Sequence, residues 1–239
     1  MILNAELNLP LAVSAVALDL DGTLLDTAPD LAEAANRMLA ELELPKIEVA
    51  VVMTYVGNGA EKLVKRLLTG DMNGEPGADI LNHAKAVFFR HYEAVLDMHT
   101  KAYHGVLDGL AFLKSSGFRL ACVTNKPARF TMPLLESMGM REYFELVLSG
   151  DSLPAKKPDP MPLLHLCEKF GINPNQLVMV GDSSADIEAA KGAGCYAFYV
   201  PYGYNRGLSA EAMGADVVLD ALIDIKNLIV KNHELSKNY

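Results

Sequence analysis

At 239 residues the chain is long for one average domain and short for two. A hydrophobic share of 51% with 21% charged residues supports a sizeable core and excludes a disordered chain, and 18 Gly and 12 Pro without a period exclude a collagen-like repeat. Lys and Arg number 21 against 30 acids, a net charge of −9, so the basic surplus of a duplex-binding protein is absent and nucleic acid is not an expected partner.

The first apolar run, Leu9 to Leu18, is about half a membrane span and stops at Asp19. Ala15-Val16-Ala17 imitates a cleavage site, but no Lys or Arg precedes Arg37 to form a positive n-region. The expectation is a cytoplasmic protein with no membrane partner. Within this run Val13–Leu18 has strand length. Next comes a purely helical stretch with three apolar stripes. The first is Leu31, Ala34, Ala35, Met38, Leu39 and Leu42; the second is Leu63, Val64, Leu67 and Leu68; the third is Leu81, Ala84, Phe88, Tyr92 and Val95. Further strand-length runs follow at Leu120–Val123, Leu146–Leu148, Leu177–Val180, Ala197–Val200 and Val217–Leu219. Continuous apolar runs suit strands covered on both faces of a parallel sheet. Helical patterns alternate with them, at Leu107 to Leu113, Leu163 to Cys167, Ile187 with Ala190, and Leu222, Ile225, Leu228 and Ile229.

The alternation predicts an α/β fold, a doubly wound Rossmann-like parallel sheet. A strand–helix–strand unit takes about 30 residues, yet about 100 separate the first two strands of this core. The excess predicts an inserted all-helical cap domain over residues 27–100, with residues 1–26 and 101–239 forming the core. Gly22–Pro29 and Met98–Gly105 are the expected hinges. Cys122, Cys167 and Cys195 form no CxxC pair and read as buried free thiols of a reducing compartment.

Ligands of open α/β sheets bind beyond the carboxyl ends of the strands. The residues there are Asp19-Leu20-Asp21-Gly22-Thr23, Thr124-Asn125, Lys157, and Gly181-Asp182-Ser183 with Asp186. Asp19, Asp21 and Asp182 make a hard, oxygen-rich set suited to Mg²⁺, and Lys157 is a compact charge suited to a phosphate. Bare carboxylates would repel a phosphate dianion; the metal and Lys157 together would reverse that field. Asp186 has two readings, as a capping-box partner of Ser183 or as outer-shell support for the metal. Thr124 has an alternative as a helix N-cap, and Lys157 as a solvated surface lysine.

Asp19-Leu20-Asp21-Gly22-Thr23-Leu24 resembles the first motif of the haloacid dehalogenase-like hydrolases, and Thr124, Lys157 and Gly181-Asp182-x-x-x-Asp186 are similar to its other three, in order along nearly the whole chain. Leu18 departs from the Phe that often precedes the nucleophile. The helical insertion resembles that family's cap. Val56-Gly57-Asn58-Gly59-Ala60, Thr124-Asn125-Lys126-Pro127 and Val200-Pro201-Tyr202-Gly203-Tyr204 look like the branch that acts on 2-phosphoglycolate. The resemblance implies Asp19 as the nucleophile that becomes an aspartyl-phosphate, and Asp21 as the general acid and base. It implies Mg²⁺ held by the Asp19 side chain, the Asp21 carbonyl and Asp182. Thr124, the Asn125 backbone and Lys157 would hold the transferring oxygens, with Gly22 lining the substrate. Gly57, Asn58 and Gly59 would meet the substrate from the cap, with Lys62 or Arg66 on its carboxylate; a solvated basic face is the other reading of those two cations.

The implied substrate is a small anionic phosphate ester, 2-phosphoglycolate first. Other small esters (a sugar phosphate, pyrophosphate or a nucleotide) and a phosphomutase stay open, as does the choice of monomer or homodimer. A nicotinamide dehydrogenase is disfavoured because no G-x-G-x-x-G follows the first strand, and no P-loop motif occurs. A phospho-aspartate switch would need neither the helical insertion nor an acid–base group such as Asp21.

Overall fold

The computed structural model describes residues 1–2, 4, 7–204 and 207–232. Strands β1 (Leu11–Val13) and β2 (Ala15–Leu18) lead into the short β3 (Leu25–Asp26). Four helices follow, α1 (Ala28–Glu41), α2 (Val49–Tyr55), α3 (Ala60–Thr69) and α4 (Ala78–Val95), before β4 (Lys101–Ala102). The rest alternates: α5 (Val106–Ser115), β5 (Arg119–Val123), α6 (Ala128–Ser137), β6 (Leu146–Leu148), α7 (Met161–Phe170), β7 (Leu177–Gly181), α8 (Ser184–Ala193) and β8 (Tyr196–Tyr199). The last elements are a single helical turn α9 (Ala210–Met213), β9 (Val217–Val218), a 3₁₀ helix (Leu222–Asn227) and β10 (Ile229–Lys231).

The main sheet is parallel throughout, in the order β6-β5-β2-β7-β8-β9. It is the doubly wound α/β sheet expected from the apolar runs. Both faces are covered, and the alternation of side chains divides the core into two layers. Val16, Leu18, Cys122, Val178 and Phe198 face one layer, with α5 and the 3₁₀ helix. Ala15, Ala17, Ala121, Met179 and Ala197 face the other, where four alanines and one methionine meet α7 and α8. All three cysteines are free and buried in these layers.

Two expectations are corrected. The run Val13–Leu18 is not one strand: it breaks at Ser14, β2 joins the main sheet, and β1 pairs in parallel with β10 in a separate two-stranded sheet. The pattern Leu222, Ile225, Leu228, Ile229 is not an α-helix. Leu222, Ile225 and Leu228 recur at three, the period of the 3₁₀ turn they form or flank, and Ile229 belongs to β10, where it sits opposite Leu11.

The helices between β3 and β4 pack into a core of their own. Ala35 and Met38 of α1, Val64 of α3, and Ala84 and Phe88 of α4 are fully buried there. Burying a side chain such as Phe88 contributes about 1.5–3 kcal/mol. The three apolar stripes match α1, α3 and α4; α2 carries no clear stripe and buries only Val52 and Tyr55. The segments entering and leaving this lobe pair as an antiparallel ribbon, Leu25 opposite Ala102 and Asp26 opposite Lys101. Asp30, with no exposed surface, fastens the junction from the first turn of α1. Its carboxylate accepts hydrogen bonds from the His99 and Thr100 amides, the Thr100 hydroxyl and the His99 ring. Among the described residues no helix is long and apolar enough to cross a membrane.

Candidate active site

The site sits where the winding of the sheet reverses, between β2 and its neighbours β5 and β7. Asp19 follows β2, Thr124 follows β5, Asp182 follows β7, and Lys157 comes from the loop between β6 and α7. Parallel register puts these ends level, with Leu18 opposite both Cys122 and Val180. Asp21 and Gly22 lie in the turn after β2. Gly22 has φ 90°, and a Cβ there would stand 2.3 Å from an Asp182 carboxylate oxygen, so only glycine fits.

Lys157, 3% exposed, is the hub. Its ammonium donates to Asp19 Oδ1 at 2.8 Å, to Asp186 Oδ1 at 2.6 Å and to the Val123 carbonyl at 2.5 Å. Three bonds use all three of its protons. Burial pulls its ionisation down, and Asp186 and Asp19 more than compensate, holding the ammonium above the usual lysine range. It is not a surface lysine. The Asp186 Oδ2 accepts from the Ser183 amide and hydroxyl, so Asp186 completes a capping box for α8 while reaching Lys157 with its other oxygen.

Carboxyl oxygens of Asp19, Asp182 and Asp186 lie within 4.8 Å of one another, and all three groups are buried. Asp19 is pushed up to about 7, first by burial and also by repulsion from Asp186 and Asp21, against the attraction of Lys157. Asp182 is raised well above the carboxylate range by burial, Asp186 and Asp19. A cluster with more buried acid than base suits a divalent cation, whose charge lets both carboxylates stay ionised. The donors are hard oxygens, which fits Mg²⁺-type ligands. Both Asp186 oxygens accept from protein groups, as both Asp182 oxygens do, and an oxygen with one such bond keeps a second lone pair for an ion. Asp182 is oriented by the Thr23 hydroxyl at 3.0 Å and the Tyr204 amide at 2.6 Å.

The helical lobe roofs this cluster. The cavity between them is lined by Asp19, Asp21, Thr124, Asn125, Lys126 and Lys157 from below. Leu31, Val56, Leu63 and Phe88 of the lobe, with Phe130 of α6, give it apolar walls. Asn125 ties floor to roof, its amide donating to the Gly57 carbonyl at 3.1 Å and the Lys157 carbonyl at 2.8 Å. Gly59 comes so close that a Cβ there would lie 3.2 Å from the Asn125 carbonyl oxygen.

Of the positions singled out in the sequence, Asp19, Asp21, Thr124, Asn125, Lys157, Asp186, Gly57 and Gly59 line this one cavity, and Gly22 and Asp182 stand directly behind it. Asn58 lines a smaller neighbouring recess. Lys62 and Arg66 are not brought to the cavity. Lys62 pairs with Glu75 at the surface. Arg66 donates to the Tyr55 and Met72 carbonyls and to Asn58 Oδ1, so it braces the Gly57-Asn58-Gly59 loop from behind.

Four participants, Lys126, Tyr92, Thr27 and Tyr204, carried no role in the sequence reading. Lys126, 5% exposed, donates to Asp21 Oδ1 at 2.9 Å and to the Tyr92 hydroxyl of α4 at 2.5 Å. Burial opposes its charge, but Asp21 and Tyr92 hold it above the usual lysine range; burial in turn pushes the Tyr92 phenol up to about 12. Thr27 donates its hydroxyl to the same Asp21 oxygen at 2.7 Å. Tyr204 accepts from the Thr27 and Ala28 amides and donates to Asp26, joining the Asp182 loop to the entry of the lobe. Two sequence signals mark Lys126, its position just beyond the end of β5 and its place in Thr124-Asn125-Lys126-Pro127.

Residues 16–200 match the family model of the haloacid dehalogenase-like hydrolases. A phosphoglycolate phosphatase of Nitrosospira multiformis is 52% identical over 226 residues, 95% of this chain and 100% of that protein. One from Thiobacillus denitrificans is 48% identical over 222 residues, 93% of this chain and 98% of that one. Among solved structures, a predicted phosphoglycolate phosphatase from Haemophilus somnus superimposes with a TM-score of 0.84 at 37% identity, over 90% of this chain and 96% of that one. The chain belongs to the haloacid dehalogenase-like hydrolases, and within them it is a phosphatase, a phosphoric monoester hydrolase.

Proposed function

We propose that this haloacid dehalogenase-like phosphatase hydrolyses 2-phosphoglycolate to glycolate and phosphate, through a phosphorylated Asp19. The observation that carries the reading is the placing of Asp19. Its carboxylate stands at the end of β2, 2.8 Å from the Lys157 ammonium and beside Asp182, in the cavity that Asp21 shares. The names of the similar proteins support this ester.

In the first half-reaction an Asp19 oxygen attacks phosphorus, the bond to the ester oxygen breaks, and Asp21 gives its proton to the departing alkoxide. In the second, Asp21 takes a proton from water as that water attacks the phosphorus of the acyl phosphate; phosphate leaves and Asp19 is restored. Splitting one displacement in two lowers each barrier. The Thr124 hydroxyl and the Asn125 backbone N–H hold the phosphoryl oxygens, Lys157 sets its positive charge beside them while bound to Asp19, and such positioning supplies most of the stabilisation in phosphoryl transfer. Mg²⁺ is the proposed cofactor, with Asp19, Asp182 and the Asp21 carbonyl as its holders and Asp186 behind them; it supplies positive charge for the transferring group.

Residues 27–100 act as the cap, which excludes water when seated on the core of residues 1–26 and 101–239. Three buried free thiols support a reducing compartment, the cytoplasm. The test is phosphate release from a panel of esters containing 2-phosphoglycolate, glucose 6-phosphate, pyrophosphate and a nucleoside monophosphate, with Mg²⁺ and with chelator. A preference for 2-phosphoglycolate that needs the metal is expected; equal rates across the panel, or rates indifferent to chelator, would overturn the proposal.

A further inference from the structure

We propose that Lys126, held by Tyr92 of the helical lobe, is the cation that binds a carboxylate on the substrate; this rests on the phosphatase reading above. A substrate with a phosphate and a carboxylate brings two negative groups into one cavity, and each needs a partner there. Among the residues that line it the cations are two, Lys157 and Lys126. Lys157 is committed to the phosphoryl end, with all three protons bound to Asp19, Asp186 and Val123.

Lys126 differs. Its ammonium gives one proton to Asp21 and one to the Tyr92 hydroxyl, so one donor of three remains for a ligand. Its place is right as well. The ester oxygen of the substrate must come within hydrogen-bond reach of Asp21 to receive a proton, and Lys126 lies 2.9 Å from that carboxylate. In an ester of glycolate the carboxyl carbon is two bonds beyond that oxygen, which puts its carboxylate beside Lys126. Elsewhere Leu31, Val56, Leu63, Phe88 and Phe130 offer it no polar partner.

The cations of the lobe do not compete, since Lys62 is paired with Glu75 at the surface and Arg66 is spent on the loop behind Asn58. The lobe contributes instead through Tyr92, whose ring stacks on Phe88 with centroids 5.7 Å apart and lies beneath the Lys126 ammonium, 4.6 Å from it. The carboxylate reader therefore stands on the core, and seating of the lobe fixes its position.

The experiment compares kcat/KM for 2-phosphoglycolate and for ethyl phosphate, which replaces the carboxylate by a methyl group, in the wild type, Lys126→Met and Tyr92→Phe, all saturated with Mg²⁺. The readout is the ratio of the two specificity constants. Lys126→Met is expected to lower that ratio about tenfold or more, chiefly through KM for 2-phosphoglycolate. Tyr92→Phe, which keeps the stacked ring and so the fold, is expected to lower it about threefold. A loss of equal factor on both esters in either folded variant would show that Lys126 acts only through Asp21 and would overturn the inference alone. A wild type inert toward both esters would overturn the phosphatase reading and this inference with it.

Discussion

Lys157→Met removes a 3%-exposed ammonium and leaves Asp19, Asp182 and Asp186 as three buried carboxylates facing one another. Breaking a buried pair by removing one partner costs about 3–5 kcal/mol, since the remaining charge has no compensation. For a chain of this length each kcal/mol moves the midpoint by about 2–4 °C, so Tm in metal-free buffer should fall by roughly 6–20 °C. The loss should depend on pH. The folded value of Asp19 lies above its unfolded one, so its contribution to stability is full at low pH and is lost as the pH rises through about 7. A proton at pH 6 then stands in for part of the missing lysine, and the deficit at pH 6 should be smaller than at pH 8. The assay is thermal unfolding by circular dichroism at both pH values, with kcat expected to drop about 100- to 1,000-fold. A Tm within two degrees of wild type at pH 8 would refute the idea that Lys157 holds this cluster together.

Mg²⁺ at about a hundred times its Kd should stabilise the fold by about 2.7 kcal/mol and raise Tm accordingly, with the gain lost in Asp182→Asn; titration followed by calorimetry checks this. Gly22→Ala forces a side chain to within 2.3 Å of an Asp182 oxygen at φ 90°, so both stability and kcat should fall, and an active, fully stable variant would contradict the packing described. Asp30→Asn leaves some of the His99 and Thr100 donors without their acceptor at the base of the lobe. Its expected cost is about 1–3 kcal/mol in denaturant unfolding, with faster hydrogen exchange in β4 as the local signature.

The sheet was legible because its strands are buried on both faces and so read as unbroken apolar runs, from Leu120–Val123 to Ala197–Val200. The positions just past those runs then converged in space, since parallel register brings strand ends to one edge. Short or crowded elements were not legible. β3 and β4 have two residues each and exist through pairing with each other. Ser14 is a single turn-favouring residue in an otherwise apolar run and was read through as part of one strand, and Ile229 follows a three-residue spacing that imitated a helix. Lys62 and Arg66 were singled out by charge on a helix face, but charge alone does not tell a surface pair with Glu75 or a brace behind Asn58 from a ligand contact. Lys126 and Tyr92 escaped because they come from elements far apart in sequence, and one of them sat within an ordinary apolar stripe.

The central claim, that Asp19 carries the phosphoryl group, is met head-on by acid-quenching the enzyme during turnover of 2-phosphoglycolate and mapping the trapped phosphoryl group by mass spectrometry. The account predicts a single labile phosphoryl group on the peptide bearing Asp19, and neither label nor turnover in a folded Asp19→Asn variant. A phosphoryl group on another residue, or an Asp19→Asn enzyme turning over within tenfold of the wild-type rate, would contradict it.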